Sequence, residues 1–474
     1  MRNRGQMIRN LLLATLFACA PLPAFADDAP AADAAAKPDS FNAGLLGKPE
    51  ILLPSEAVTG AVFLFSDKGG WTPADEATAA SLQKAGAIVV GIDTPKFLAG
   101  LEADKAEDCV YVVGDIEDLS HQIQRQLGTD IYHSPVIAGI GTAGTLALSL
   151  AAQTPDATVG RTVAVDPALA LPLVKDLCTD APRTEVPGGV SYGLEKGDPA
   201  NPVDVIYTAA APADGKAHVA DLQKQGFKLK DKTVDGDARA ALLDRLQHLL
   251  VPKSADADPL ADLQLIELPA TAKFDTLAIV YSGDGGWRDI DKSVAETLQK
   301  EGVPTVGVDS LRYFWSQKTP DQTSADLARI IEAYTERWGV DHVILIGYSF
   351  GADVLPAAYN RLPIDAKDVV TQLSLLGLSE AVDYEVSVGE FLGTSSSEGE
   401  TLPDLKQIKP SLVQCVYGEE EDDSACPKVD GTGVEMIKTT GGHHFDGDYE
   451  ALAAKILDGF KRRVATETHP QAKK

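Results

Sequence analysis

The chain contains two copies of one domain-sized sequence, and this duplication limits the folds that it can adopt. The segment FSDKGGW at 65–71 recurs about 215 residues later as YSGDGGW at 281–287. The match continues without gaps to Phe97 and Tyr313, with about 13 identities in 33 positions. Solenoid repeats have periods of only about 20–50 residues. We therefore expect two tandem domains of the same fold.

Short runs of Val, Ile and Leu alternate with longer amphipathic stretches in each copy, a pattern typical of parallel sheets covered by helices on both faces. In the second copy the predicted strands are 277–281, 304–308, 342–346, 372–376, 412–416 and 434–438. The predicted helices are 324–338 and 449–460. These elements predict an α/β fold with mainly parallel sheets.

The chain is too long for one hydrophobic core. Single cores stop growing near about 250–300 residues, whereas this chain has 474. A stretch rich in Pro, Asp and Ala separates the two copies and has the composition of a linker. The predicted segments are a signal peptide at 1–26, a flexible leader at 27–48, a first domain at 49–251, a linker at 252–262, a second domain at 263–465 and a tail at 466–474.

The first 26 residues have the features of a secretory signal peptide. Three arginines precede the apolar run 11–18, and small residues at positions 24 and 26 indicate a cleavage site before Asp27. The run is shorter than the about 20 residues that span a bilayer. We therefore expect cleavage, export to the periplasm and no transmembrane span in the mature chain. The alternative is a lipoprotein acylated at Cys19, where Phe17 is bulkier than such signals usually allow.

Cleavage would leave four cysteines in a compartment that permits disulfides. Cys415 and Cys426 bracket an acidic loop at the end of a predicted strand, so we expect these two to pair. Cys109 and Cys178 remain as a second pair by elimination.

The chain is strongly acidic. Its formal net charge of -28 falls to about -31 when the three arginines of the signal peptide are removed. Binding to nucleic acid is disfavoured, because contacts to phosphate need a basic surface. The excess negative charge either keeps the protein soluble or attracts a cationic ligand or a basic partner.

A candidate nucleophile follows the third predicted strand of the second copy. The strand runs directly into GYSFG at 347–351, and a helix-like segment follows. This order of strand, tight turn and helix is that of the nucleophile elbow in α/β-hydrolases. Glycines flank the serine because its backbone is strained and neighbouring chains approach closely. We predict that Ser349 is the nucleophile.

The other members of a catalytic triad should lie in the loops after the last two strands. The sequence GGHHF at 441–445 follows the last strand, so we predict His443 as the base, with His444 as the alternative. The acid should come from the loop after the preceding strand, and our first choice there is Asp422. Asp423 is the second choice, and Glu421 is the third because some members of the fold use Glu.

An oxyanion hole needs two backbone N–H donors. We assign one to Phe350, which follows the nucleophile, and the other to Gly283 or Asp284 in the glycine loop after the first strand. The glycine loop could equally be a tight turn. It lacks the Lys-Ser/Thr ending of a P-loop and the spacing of a dinucleotide fingerprint, so we assign no cofactor. We assign no metal ligands.

The first copy lacks all three catalytic positions. Aligning the two elbows places Gly141 where Ser349 stands. The acid loop becomes the short segment 207–212, and the segment 232–237 has no counterpart of the Gly-Gly-His-His-Phe sequence. We therefore predict that the first copy is a degenerate, non-catalytic α/β-hydrolase-like domain.

The second copy, from Leu277 to Asp448, resembles the VirJ-type bacterial virulence domain in its motifs at 281–287, 347–353 and 442–445. The two-copy layout is similar to the longer members of the AcvB/VirJ family. This resemblance implies a periplasmic protein linked to virulence and type IV secretion, which hydrolyses the aminoacyl ester of lysyl-phosphatidylglycerol. It implies attack by Ser349 on the lysyl ester carbonyl, with His443 as base and then acid.

Two further segments carry expectations. The insertion 381–400 is a candidate lid, and the aromatic segment 313–315 either lines the lipid side of the pocket or packs in the core. Two classes of function remain, a hydrolase of carboxylic esters and a non-catalytic periplasmic adaptor or chaperone for secretion. The complete set of Ser349, acid loop and His443 in one copy favours the enzyme.

Overall fold

The computed structural model describes residues 41–103, 108–195, 199–251, 260–386 and 397–468. These residues all fall within one compact unit, Pro38–Lys474. The predicted signal peptide, the leader up to residue 40 and the linker residues 252–259 lie outside the described residues. Within the described ranges, no helix is long and apolar enough to cross a membrane.

The N-terminal half, 41–251, contains eleven described strands and six described α-helices. The strands are β1 (Glu50–Leu52), β2 (Gly60–Phe65), β3 (Ala87–Ile92), β4 (Cys109–Val110), β5 (Val136–Ile140), β6 (Arg161–Val165), β7 (Asp176–Leu177), β8 (Arg183–Val186), β9 (Gly189–Tyr192), β10 (Val203–Tyr207) and β11 (Leu229–Thr233). The helices are α1 (Pro73–Lys84), α2 (Thr94–Ala103), α3 (Val112–Leu127), α4 (Thr142–Leu150), α5 (Ala213–Lys224) and α6 (Ala238–Leu249).

The C-terminal half, 260–468, contains nine described strands and seven described α-helices. The strands are β12 (Ile266–Leu268), β13 (Thr276–Tyr281), β14 (Thr305–Val308), β15 (His342–Tyr348), β16 (Val370–Leu376), β17 (Ala381–Val382), β18 (Gly399–Glu400), β19 (Val413–Gly418) and β20 (Glu435–Thr439). The helices are α7 (Asp289–Lys300), α8 (Ser310–Tyr313), α9 (Pro320–Trp338), α10 (Phe350–Arg361), α11 (Ile364–Asp368), α12 (Leu402–Leu405) and α13 (Tyr449–Thr468).

Each half forms a seven-stranded sheet, and the two sheets have the same topology. The strand orders are β1-β3-β2-β5-β6-β10-β11 and β12-β14-β13-β15-β16-β19-β20. In each sheet the first strand pairs antiparallel with its neighbour and the other six strands are parallel. Both halves therefore have the α/β-hydrolase arrangement, and the predicted fold class is confirmed.

The six predicted strands of the C-terminal half are all present, with boundaries shifted by no more than two residues. Helix α9 begins earlier than predicted because of its cap. Thr319 Oγ1 accepts a hydrogen bond from the Gln322 N–H, and the Gln322 side chain accepts one from the Thr319 N–H. This capping box, followed by a proline at the first helical position, starts the helix at Pro320.

The central strands of the C-terminal sheet are covered on both faces, which explains their continuous apolar sequence. All seven residues of β16 are buried. One face packs against α9 and α10, through Leu327 and Leu355 among others. The opposite face packs against α7 and α13, through Leu298 and Ile456. This double cover fixes the strands whose ends carry the candidate site.

The repeated GGW motif has the same packing role in both halves. Trp287 lies over Gly307 of β14, where an added Cβ would be 2.4 Å from the indole ring. Trp71 lies over Gly91 of β3, where the corresponding distance is 2.3 Å. Only glycine leaves room for the ring at either strand. The motif that most clearly reveals the duplication therefore preserves a contact of the fold.

The cysteines form two disulfides, Cys109–Cys178 and Cys415–Cys426. The second joins β19 to the segment after the acidic loop and so closes that loop at its base. The insertion 381–400 is anchored by antiparallel pairing of β17 with β18. Its middle, 387–396, lies outside the described residues, so the lid stays a prediction.

The aromatic segment 313–315 packs in the core. Its three side chains are each no more than 8% exposed. Trp315 also contacts the N-terminal half, since the ring of Tyr132 lies 4.8 Å from it and the guanidinium of Arg125 lies 3.7 Å above it. Arg125 donates to the carbonyl oxygens of Trp315 and Val386 as well. Of the two alternatives for this segment, the structure shows core packing.

We predict that Gly307→Ala lowers the free energy of unfolding by about 1–3 kcal/mol, because the new methyl group must displace the Trp287 ring. Denaturant unfolding measures this change. The control is Gly69→Ala, an exposed position with no neighbouring atom within 4 Å of the new Cβ, where a change within about 0.5 kcal/mol is expected. Equal unfolding midpoints for both variants would contradict the packing role.

Candidate active site

Ser349 occupies a strained turn between β15 and α10. Its φ of 50° and ψ of -121° lie outside the regions that residues with a side chain normally adopt. A Cβ on Gly347 would lie 2.4 Å from the Gly351 carbonyl oxygen, and one on Gly351 would lie 2.4 Å from that of Tyr281. The flanking glycines are therefore required by backbone contacts, as the sequence pattern suggested.

His443 reaches Ser349 from the loop after β20. The distance from His443 Nε2 to Ser349 Oγ is 2.8 Å, although the two residues are 94 positions apart. Tyr348 lies beside the imidazole, with ring centroids 5.2 Å apart, and its hydroxyl donates to the His443 carbonyl oxygen. His444 is exposed, with its ring 6.3 Å from that of His443. The structure thus places His443, rather than His444, at the serine.

Glu421 is the carboxylate that contacts His443. Its Oε1 lies 2.6 Å from His443 Nδ1, and its Oε2 accepts a hydrogen bond of 2.7 Å from the Gly418 N–H. The carboxylate side chain is only 4% exposed. The first and second choices from the sequence, Asp422 and Asp423, are wrong for this position, since both residues are exposed.

The chain reversal after β19 explains this correction. The Glu421 N–H donates back to the Gly418 carbonyl oxygen, and the Glu420 N–H donates to that of Gly441. The tight turn directs the third residue after the strand back toward the histidine loop. The two aspartates that follow continue outward into solvent.

Glu421 also controls the protonation of His443. The pKa of His443 is raised, chiefly because the imidazole hydrogen-bonds the Glu421 side chain; burial opposes this, while the negative charges of Glu421, Asp423 and Asp284 add to it. The imidazolium form is therefore favoured at this site. When His443 accepts the proton of Ser349, Glu421 stabilises the resulting imidazolium cation.

The oxyanion candidates lie next to the serine. Phe350 is the first residue of α10, where a backbone N–H has no acceptor within the helix. The glycine loop lies against the nucleophile, because a Cβ on Gly283 would be 3.6 Å from that of Ser349. Gly283 and Asp284 both belong to this loop, so the second donor stays a prediction with these two alternatives.

Asp291 lies behind this loop and was not anticipated from the sequence. It is 3% exposed, and burial raises its pKa well above the usual range, an effect that the nearby backbone N–H groups of Gly283 and Arg288 oppose. Among the described residues, its Oδ1 has no hydrogen-bond partner. Burial thus disfavours the charged form of Asp291 behind the glycine loop.

The N-terminal half keeps the backbone conformation of the elbow, but a side chain occupies the space beside it. Gly141 has a φ of 60° and a ψ of -120°, nearly the values of Ser349. The Thr142 N–H, which corresponds to that of Phe350, donates 2.9 Å to Asp67 Oδ1. A Cβ on Gly141 would lie 2.6 Å from that oxygen. In this half, a carboxylate of the protein itself therefore occupies the N–H that corresponds to that of Phe350.

Within the described ranges, no group of His, Cys, Asp and Glu side chains is arranged to hold a metal ion. The chemistry that this arrangement can perform is nucleophilic attack by a serine hydroxyl, with an adjacent base and an orienting carboxylate.

A family model described as "Bacterial virulence protein (VirJ)" matches residues 275–464. Among solved structures, Est1E from Butyrivibrio proteoclasticus with bound ferulic acid is 14% identical, with a TM-score of 0.30; the match covers 42% of this chain and 96% of that one. A dienelactone hydrolase from Anabaena variabilis is 18% identical, with a TM-score of 0.29, covering 43% and 89%. No curated protein sequence matches the chain.

We predict that Glu421→Gln lowers the pKa of His443, because the variant removes the largest cause that raises it and leaves the opposing effect of burial. NMR titration of the imidazole C–H resonances measures the pKa. The matched control is Asp422→Asn, one residue away and exposed, which should leave the pKa close to that of the wild type. The opposite ranking of the two variants would restore Asp422 as the acid.

Proposed function

We propose that the chain is a serine hydrolase that cleaves a carboxylic ester, on the premise that residues 275–464 match the model of the VirJ family of bacterial virulence proteins. One observation carries the proposal: a continuous hydrogen-bonded chain from Ser349 Oγ through His443 to the buried carboxylate of Glu421. Such a chain makes a serine nucleophilic, because the imidazole removes the hydroxyl proton and the carboxylate stabilises the resulting cation.

The proposed reaction has two halves. Ser349 Oγ attacks the ester carbonyl carbon while His443 Nε2 takes its proton, and the N–H groups of Phe350 and of Gly283 or Asp284 receive the developing oxyanion. The tetrahedral intermediate collapses as His443 returns the proton to the leaving alcohol oxygen, which leaves an acyl group on Ser349. Water then attacks this acyl-enzyme by the same route, and the carboxylic acid and free serine result.

We further propose that the acyl group is cationic, with lysyl-phosphatidylglycerol as the substrate. Asp284 and Asp423 lie close enough to His443 for their negative charges to raise its pKa, beyond the effect of Glu421. Neither aspartate is bound to the imidazole, so their charges are available to attract an amino group of the acyl moiety. The net charge of -28 also attracts a cationic substrate over a longer range. The resemblance to the AcvB/VirJ family supports this choice of ester.

The proposed location is the periplasm, with a link to virulence and type IV secretion. Two disulfides support an oxidising compartment, since cytosolic thiols are normally kept reduced. The sequence at 1–26 supports export, although it lies outside the described residues.

The N-terminal half favours a second candidate function, a non-catalytic adaptor or chaperone for secretion. Its elbow carries Gly141, and Asp67 fills the adjacent space, so this half supports no hydrolysis of its own. An adaptor role for this half is compatible with catalysis in the other half. An adaptor role for the whole chain would leave the strained backbone of Ser349 without a purpose.

We predict that Ser349→Ala abolishes release of lysine from vesicles that contain lysyl-phosphatidylglycerol, with a fall in kcat of at least about 10³-fold. The matched control is His444→Ala, which alters the adjacent exposed imidazole and should retain activity within about threefold. Lysine release is quantified with the purified full chain. Undiminished release by Ser349→Ala would overturn the mechanism, and release from esters of neutral amino acids alone would overturn the cationic substrate.

A further inference from the structure

The N-terminal half packs directly against the glycine loop that borders Ser349. Ala157 lies beside Gly286, since its Cβ would be 3.4 Å from a Cβ added to that glycine. Ala157 has a φ of 65°, a left-handed conformation that costs energy for a residue with a side chain. The strained backbone of Ala157 therefore lies at the contact between the N-terminal half and the glycine loop.

A series of hydrogen bonds through a charged pair also connects the N-terminal half to the glycine loop. Glu117 of α3 accepts a hydrogen bond of 3.1 Å from Arg288 Nη2, and Arg288 Nε donates to the Gly285 carbonyl oxygen at 2.5 Å. Thr158, next to Ala157, contacts the second oxygen of Glu117 at 3.4 Å. A residue of the N-terminal half thus reaches the backbone of the glycine loop through one guanidinium group.

The Glu117–Arg288 pair is largely shielded from water. The side chains are 15% and 23% exposed, respectively. Burial raises the pKa of Glu117, and the positive charge and hydrogen bond of Arg288 oppose this rise. A partly buried pair of this kind holds its geometry more firmly than a surface pair, because either partner would be left with an unpaired charge if the other moved. The pair is therefore suited to fix the loop.

We propose that the N-terminal half acts as a template that positions the glycine loop 282–287 of the C-terminal half, which supplies an oxyanion donor. In this proposal Glu117 is a positioning residue for catalysis. This inference rests on the proposed function, because it concerns the same site. Glu117 touches no reacting atom. It acts on Arg288, which holds Gly285 and thereby restrains the adjacent Gly283 and Asp284, the candidates for the second oxyanion donor. The degenerate copy has lost its own triad and contributes alignment instead.

This role predicts a specific kinetic signature. Oxyanion donors act on the transition state, so a loosened donor lowers kcat and leaves KM nearly unchanged. A misplaced donor should cost about tenfold, less than the about 10²–10³-fold loss when a donor is removed. A merely structural role at the interface would instead lower the unfolding midpoint without changing the kinetics of the folded fraction.

The test uses the purified full chain and the variant Glu117→Gln, which keeps the size of the side chain but removes its charge. We expect kcat for lysine release to fall about tenfold, with KM changed less than about twofold. Affinity for a trifluoromethyl ketone analogue of the substrate, which forms an oxyanion on Ser349, should fall in parallel with kcat. Near-ultraviolet circular dichroism verifies that the fold is retained.

The matched control is Lys292→Gln. Lys292 pairs with Asp156 at 2.8 Å across the same interface, but neither side chain bonds the glycine loop. This control should keep both kcat and affinity for the analogue. Should Glu117→Gln fold poorly, Arg288→Lys provides a second variant, because one ammonium group cannot reproduce the two directed contacts of the guanidinium. The same tenfold loss is expected for it.

The outcomes are distinguishable. Wild-type kcat and analogue affinity in Glu117→Gln would overturn the template role while leaving serine catalysis intact. Equal losses in Glu117→Gln and Lys292→Gln would also overturn it, since general loosening of the interface would then suffice. Failure of the wild-type chain to bind the analogue or release lysine would instead count against the proposed function.

Discussion

The hydrogen bond between Ser349 Oγ and His443 Nε2 is the interaction on which the functional proposal depends. It exists because the sheet is parallel. The ends of β15, β19 and β20 lie at one edge, so loops that are distant in sequence meet above that edge. The serine turn, the acidic loop and the histidine loop each follow one of these strands. The proposed catalytic set is thereby assembled from three loops of one sheet.

The duplication separates the requirements of the fold from those of the chemistry. Both halves keep the tryptophan that packs over a strand glycine, and both keep the left-handed turn of the elbow. Only the C-terminal half keeps a serine in that turn. In the other half, Asp67 accepts a hydrogen bond from the Thr142 N–H, which corresponds to that of Phe350. A conserved scaffold thus carries one open site and one closed by its own side chain.

The sequence predicted the central strands of the C-terminal sheet correctly, but it identified only some residues of the candidate site. Strands buried on both faces are continuous apolar runs, so those of the C-terminal sheet were recognisable from composition alone. The edge strand β12 was missed, because three residues, one of them the exposed Glu267, give no periodic signal. Ser349 and His443 were identifiable since each occupies a motif with a fixed relation to a strand.

The acid could not be selected from sequence, because five consecutive acidic residues follow Gly418 and only the turn decides which one points inward. Chain reversal at that turn selects Glu421. The burial of Asp291 behind the glycine loop was likewise not predictable, since it depends on packing between a loop and a helix. Contacts from the N-terminal half to Arg288 and Gly286 required both halves to be folded together.

The most direct measurement of the central claim is mass spectrometry of the full chain after reaction with a fluorophosphonate, followed by peptide mapping. A serine activated by a neighbouring imidazole should form one covalent phosphonate adduct, located on the peptide that contains Ser349. An unmodified chain, or an adduct confined to another residue, would contradict the assignment of this serine as the nucleophile.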